Sequence, residues 1–209
     1  MKALRLLAVR HGATEWSQAR RFAGSHDIPL TAQGRLQAEA VAQALADSAA
    51  AAVYTSPLER ARTSAEVIAK PHRLEPVLEP AFREMSFGAW EGLHREEWAA
   101  RFPAEAASWA STPHTVTAPE GEALTAVDAR VRGALAQLER HRGETVILVS
   151  HAVVIRLIVL AALGLGPERL WSVDASPAGI TEIEYQENWA TVHRMNTLAH
   201  LDALRGSGV

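Results

Sequence analysis

The chain has 209 residues, 48% of them hydrophobic, which is enough to bury one sizeable core in a domain of ordinary length. With 21 Lys and Arg against 24 Asp and Glu the formal net charge is -3, so no global positive field draws it to nucleic acid or an anionic membrane, and anion binding has to be local. Cysteine is absent, which excludes disulfides, thiolate nucleophiles and cysteine-bound metals together.

The first apolar stretch, Leu4 with Leu6 to Val9, is interrupted by Arg5 and closed by Arg10, too short for the apolar region of a signal peptide. The run from Ala152 to Leu163 is broken by Arg156 and falls short of a membrane span. The expectation is a soluble, cytoplasmic protein, one domain over residues 1–209.

Leu4 to Val9 and Val146 to Val149 are nearly continuous apolar blocks, each followed within two residues by His, and read as buried parallel strands. Thr31 can cap a helix to about Ala46, with Leu36, Ala40, Val41, Ala44 and Leu45 on its apolar face. Ala51 to Thr55 makes a third strand. Pro57 suits the start of a helix that carries Leu58, Ala61, Ala65 and Ile68 through Ala69 and stops at Pro71. Residues 92–119, rich in Trp, Phe and Pro, suggest helices and loops covering one end of the sheet.

Glu120 to Arg142 places Leu124, Val127, Val131, Leu135 and Leu138 at helical spacing before Gly143. Gly179 to Tyr185 and Ala190 to Met195 alternate around Glu187 and Asn188, the pattern of a hairpin at a sheet edge. The tail from Thr197 to Val209 is expected to end disordered. This order predicts an α/β three-layer sandwich with a mostly parallel sheet, whose ligands bind outside the carboxyl ends of the strands, where Arg10, His11 and His151 fall.

Arg10-His11-Gly12 sets an imidazole and a guanidinium after a buried strand, with glycine allowing close backbone approach to a ligand. Arg60 falls in the first turn of a helix, near the positive end of its dipole, and is unfavourable there unless an anion or acid compensates it; otherwise it is a solvated Arg like Arg62. Ser150-His151-Ala152 ends a strand and opens a helix, where an imidazole can share an anion with unpaired N–H groups. Glu84 and Glu91, among glycines and aromatics, are candidate proton donors.

In order along the chain, Arg10-His11-Gly12 with Thr14-Glu15-Trp16, Asp27-Ile28-Pro29-Leu30-Thr31 with Gly34 and Gln37-Ala38, Ser56-Pro57-Leu58 with Arg60-Ala61 and Thr63, Phe87-Gly88 with Trp90-Glu91-Gly92, Gly121-Glu122 with Arg130, and Val149-Ser150-His151 resemble the histidine phosphatase superfamily, or phosphoglycerate mutase-like family. The resemblance runs from Leu6 to about Leu157. It implies a phosphatase that acts on a small phosphorylated metabolite through a phosphohistidine at His11, without cofactor or metal. It also implies a phosphate clamp of Arg10, Arg60 and His151, Ser17 and Ala152 as further phosphate contacts, and Glu84 as proton donor.

The chain departs from the family pattern at Ala13 and Ser17, where Glu and Asn are frequent, and at Ala152, in place of glycine. Ala152 also stands where one branch carries an Asp donor, which favours Glu84. The nearest alternative is a cofactor-dependent phosphoglycerate mutase; residues 92–119 hold only Arg95 and Arg101 where such mutases carry a paired-arginine segment. A noncatalytic phosphate-binding module is the alternative of another class. No His-Glu-x-x-His pattern and no Gly-rich nucleotide fingerprint is present.

Overall fold

The computed structural model describes residues 2–206. Its strands are β1 (Leu4–Arg10), β2 (Ala50–Thr55), β3 (Val77–Leu78), β4 (Thr145–Ser150), β5 (Ile180–Tyr185) and β6 (Ala190–Thr197), in one mixed sheet of order β3-β2-β4-β1-β5-β6. β1 lies between β4, which it pairs in parallel with Arg10 opposite Ser150, and antiparallel β5. β2 runs parallel to β3 and β4, and β6 closes the hairpin at the far edge.

The continuous apolar runs of β1 and β4 follow from burial on both faces. Leu4, Leu6, Ala8, Val146 and Leu148 point into one core, Leu7, Val9, Ile147 and Val149 into the other. The helices α6 (Leu124–Gln137) and α7 (Ala152–Ala162) supply the first core, while α2 (Ala32–Leu45) and α3 (Glu59–Ala69) supply the second. The expected sandwich is therefore the observed one. The short helices α1 (Glu15–Gln18), α4 (Arg95–Arg101) and α5 (Pro103–Ser111) lie among the connections.

Several boundaries differ from the sequence reading. α3 begins at Glu59, with Leu58 extended at its cap, so Pro57 precedes the helix. α3 ends at Ala69 as expected, and Pro71 lies beyond it in the first turn of a short 3-10 segment, Lys70–His72, where its missing N–H is harmless and which Arg73 ends at φ 58°. α6 starts at Leu124 because the residues before it turn: Glu120 has φ 61°, and the Glu122 N–H donates to Ser86 O at 2.9 Å.

Residues Ala199–Leu201 and α8 (Asp202–Gly206) are helical, with Leu201 buried in the second core, so the expected disorder does not extend over them; residues beyond 206 lie outside the described ones. In the covering segment Trp90, Trp98 and Trp109 are buried against one another, with ring centroids 5.0 Å apart for Trp90–Trp98 and 5.8 Å for Trp90–Trp109. Their first role is packing.

The loop after β1 is pressed onto the start of α2. Thr31 caps that helix by accepting from Gly34 N–H at 3.0 Å, and its hydroxyl donates to Ala13 O at 3.2 Å. A Cβ on Gly12 would lie 2.2 Å from Gly34 O, and one on Gly34 would lie 2.1 Å from Ala13 O. Gly12 thus permits close approach of backbone to backbone rather than of backbone to ligand. Gly34→Ala should lower the unfolding free energy by about 1–3 kcal/mol, as overpacking does. Urea denaturation checks this, and wild-type stability would mean that the loop and helix can part.

Candidate active site

β1 and β4 end side by side, and their parallel register delivers His11 and His151 together: the His11 N–H donates to Ser150 O at 2.9 Å, and the two imidazole centroids lie 5.1 Å apart with planes at 61°. His11 is 4% exposed and His151 fully buried. Burial, then the charges of Arg60 and Arg10, pushes His11 well below the ordinary imidazole value despite the bond to Gly12 O. For His151 burial is again the largest cause, followed by Arg60, His11 and Arg10. Both rings are neutral near pH 7. His11 Nδ1 lies 2.7 Å from Gly12 O, which accepts only from a protonated nitrogen, so the ring's lone pair sits on Nε2.

The loop that carries His11 is tied at successive residues. Gly12 N–H donates to Ser64 Oγ at 3.2 Å and Ala13 N–H to Gln37 Oε1 at 2.8 Å. Ser17 Oγ accepts from Thr14 N–H and donates to Thr14 O, both at 2.9 Å, so its one hydroxyl hydrogen is spent on the α1 cap. Ser17 still lines the cavity that adjoins His11.

Arg60 is 1% exposed, while Arg62 is exposed and reaches Glu66 at only 3.8 Å, which separates the two readings of this arginine pair. Arg60 is held by main-chain oxygens: Nη1 donates to His26 O and Nη2 to Gly24 O, both at 2.7 Å. Glu91 holds that loop in turn, accepting from Ser25 N–H at 3.0 Å, Ser25 Oγ at 3.1 Å and His26 Nδ1 at 2.5 Å, and also from Phe87 N–H at 2.8 Å. Burial alone would raise the Glu91 carboxyl, but these bonds bring it below its ordinary value. Glu91 is therefore a committed acceptor and not a proton donor.

Glu84, 8% exposed, accepts from Met85 N–H at 3.0 Å and faces Val153 N–H at 3.5 Å, in the first turn of α7. Its backbone is fixed by Arg130, whose Nη1 donates to Ala81 O at 2.6 Å and Arg83 O at 2.8 Å, and whose Nη2 reaches Glu84 O at 3.3 Å. Glu122 grips the other edge of Arg130 with bonds of 2.8 and 2.9 Å. Arg10 Nη1 donates to Ala175 O at 2.6 Å, and desolvation is the main reason that the guanidinium falls to about 10, still charged at neutral pH.

Arg10, His11, Ser17, Arg60, Glu84 and Ala152 all line one cavity of about 130 Å³; His151 is not among its lining residues and packs against the His11 ring. Among the described residues, Arg10 Nε, Arg60 Nε and both ring nitrogens of His151 are buried without a protein partner. Arg10 Nε and Arg60 Nε can only donate and the neutral His151 ring donates from one of its nitrogens, so together they call for an acceptor with several oxygens. No group of three His, Asp or Glu suited to a metal ion occurs among the described residues.

Sequence reasoning passed over the roles of Arg21, Arg156, Ser64 and Trp171. Arg156 had a signal: it is the one charge in the apolar stretch of α7, one helical turn beyond the start. Arg21 and Trp171 had none, because only the folded chain brings them to the cavity.

The model of the histidine phosphatase superfamily (branch 1) matches residues 6–198. A curated relative, phosphoserine phosphatase 1 of Hydrogenobacter thermophilus, is 33% identical over 199 residues, covering 95% of this chain and 94% of its own. A probable phosphoglycerate mutase of Enterobacter sp. (strain 638) is 31% identical, with 96% of each chain covered. Among solved structures, YhfR of Bacillus stearothermophilus superimposes with a TM-score of 0.89 at 30% identity, over 95% of this chain and 100% of that one. Matched motifs, sheet and paired histidines agree, and the chain belongs to the histidine phosphatase superfamily, branch 1.

Proposed function

We propose that the protein is a cytoplasmic, metal-independent phosphatase that hydrolyses a small phosphomonoester through a phosphohistidine on His11. The observation that carries this reading is the set of unpartnered buried donors on Arg10, Arg60 and His151 gathered around a neutral imidazole whose free lone pair is Nε2. In the first step Nε2 attacks phosphorus and the bond to the ester oxygen breaks. Nδ1–H stays on Gly12 O and stabilises the positive charge the ring acquires. Arg10 and Arg60 match the phosphoryl charge, and His151 donates from beside His11.

Glu84 gives its proton to the departing oxygen. It then takes one from the water that attacks the phosphohistidine, which returns the imidazole and releases inorganic phosphate. Ser17 and Ala152 complete the phosphate contacts, through the Ser17 hydroxyl once it turns from Thr14 and through the backbone at the start of α7. Residues 92–119 act as the pocket cover. Of their two arginines, Arg95 lines the cavity whereas Arg101 stacks on Phe102 at 5.7 Å, which favours a phosphatase over a mutase built on an arginine pair.

A phosphorylated protein, stable to alkali and labile to acid, should form during turnover of p-nitrophenyl phosphate in the presence of a chelator and disappear in His11→Ala. Labelling that survives in this variant points to another nucleophile. The His11 imidazole should titrate below pH 6.5 in an NMR pH series of the free enzyme, because burial and two guanidiniums disfavour its cation. The neutral nucleophile then persists into mildly acid solution, and a midpoint at or above the unperturbed value would contradict this electrostatic account. Glu84→Gln should slow hydrolysis of alkyl phosphates by roughly 100-fold or more, and of p-nitrophenyl phosphate far less. Equal losses on both substrates would leave Glu84 only a positional role.

A further inference from the structure

The loop after β1 crosses the start of α2 with the polar groups of three successive peptide units paired. His11 O accepts from Ala178 N–H at 3.2 Å, and the N–H of the same unit, on Gly12, donates to Ser64 Oγ at 3.2 Å. Ala13 O accepts from Thr31 N–H at 3.0 Å and from its hydroxyl at 3.2 Å, while Thr14 N–H donates to Ser17 Oγ at 2.9 Å. Between these two units lies the peptide that joins Gly12 to Ala13, and it is bonded more tightly. Its oxygen accepts from His11 Nδ1 at 2.7 Å, and its N–H donates to Gln37 Oε1 at 2.8 Å.

Gln37 stands in the first half of α2, half-buried, with Gly34 and Ala38 buried on either side of it in sequence. A backbone N–H can only donate, so the carboxamide has to turn its oxygen toward Ala13. A trans peptide carries its C=O and N–H on opposite sides, so the carboxamide, the peptide and the imidazole form one head-to-tail chain of donors and acceptors. Each bond in such a chain strengthens the next, by roughly 10–30%. Gly12 and Ala13 are buried, where water competes little for these groups. Drawing on the Ala13 N–H makes Gly12 O a better acceptor, and a better acceptor on Nδ1–H both fixes the ring's tautomer and pushes electron density toward Nε2. Gln37 is not among the residues that line the cavity, so it acts only through this chain.

We propose that Gln37 is a positioning residue for the nucleophile: through the Gly12–Ala13 peptide it holds His11 in the tautomer whose lone pair lies on Nε2 and strengthens that nitrogen as the attacking atom. The inference rests on the phosphohistidine reading and adds a residue outside the cavity that tunes it. An imidazole made richer in electrons attacks phosphorus faster and leaves it more slowly. Gln37 therefore acts unequally on the two halves of turnover, which a residue that merely kept the loop in place would not do.

The test compares the wild type with Gln37→Leu, which removes the acceptor, and Gln37→Glu, which restores it. With p-nitrophenyl phosphate the burst of nitrophenolate measures phosphorylation of His11, and the decay of labelled phosphoprotein measures its hydrolysis. Spectra of protein carrying 15N-histidine, assigned by difference from His11→Ala, report the tautomer. Gln37→Leu should slow the burst by about tenfold, the size of one lost hydrogen bond at a buried donor. Its decay should be as fast as in the wild type or faster, and part of its molecules should carry the proton on Nε2. Gln37→Glu should keep the wild-type tautomer, with a burst no slower and a decay no faster than wild type, and it decides alone if the leucine variant does not fold. A wild-type tautomer and burst in Gln37→Leu, an equal fall of burst and decay, or a slower burst in Gln37→Glu overturns the relay. Absence of a phosphoprotein in the wild type sinks the phosphohistidine reading instead, a failure that the tautomer spectra keep separate.

Discussion

Keeping two desolvated guanidiniums charged, with no carboxylate among the described residues hydrogen-bonded to either, is the constraint on which the site depends. Arg10 and Arg60 are satisfied only at their Nη atoms, by carbonyl oxygens of residues 175, 24 and 26, which remove part of the desolvation cost while leaving the net charge intact. Burial, reinforced by that charge, keeps both imidazoles neutral. The same two guanidiniums that make the cavity wall positive also disfavour protonation of the imidazole that shares it.

Around these groups lies a second level of scaffold, built from two partly buried carboxylates. Glu91 ties the loop that holds Arg60 to the segment following Glu84, and Glu122 braces Arg130, which gathers the carbonyls of Ala81, Arg83 and Glu84. Ser150 adds a further link, its hydroxyl donating to Phe82 O at 2.7 Å at the end of β4. Neither carboxylate touches the cavity, yet each fixes the direction of a group that does.

Most of the architecture was legible because it follows from local chemistry. The doubly buried strands β1 and β4 announced themselves as unbroken apolar runs, and β5 and β6 by alternation around a polar turn. Boundaries were less legible where backbone geometry overrode composition, as at Glu120, whose left-handed conformation shortens α6, and at Pro57, which precedes α3 because Leu58 is still extended. At the site, Arg10, His11 and His151 could be placed from strand ends alone, whereas Glu84 and Glu91 could not be separated by sequence. Only the hydrogen bonds that saturate Glu91 do so. Leu201 and its helical surroundings were missed because a short apolar segment near a terminus gives no hint of the core it meets.

Arg10, Arg60, Arg130 and Arg156 share one habit: each is anchored to peptide oxygens, whatever side chains those residues bear. Such anchors do not call on the side chains of the residues that supply them. In the loop at 24–26 those residues are fixed for other reasons: Gly24 has φ 48° with a Cβ position 2.0 Å from Glu91 Oε1, and Ser25 and His26 bond Glu91 through their side chains. The loops at 24–26 and 173–175 share a second constraint. They are intolerant of a change in length, since inserting or deleting a single residue would move the carbonyl out of reach. Evolutionary variation in this enzyme should therefore be poor in gaps at those loops.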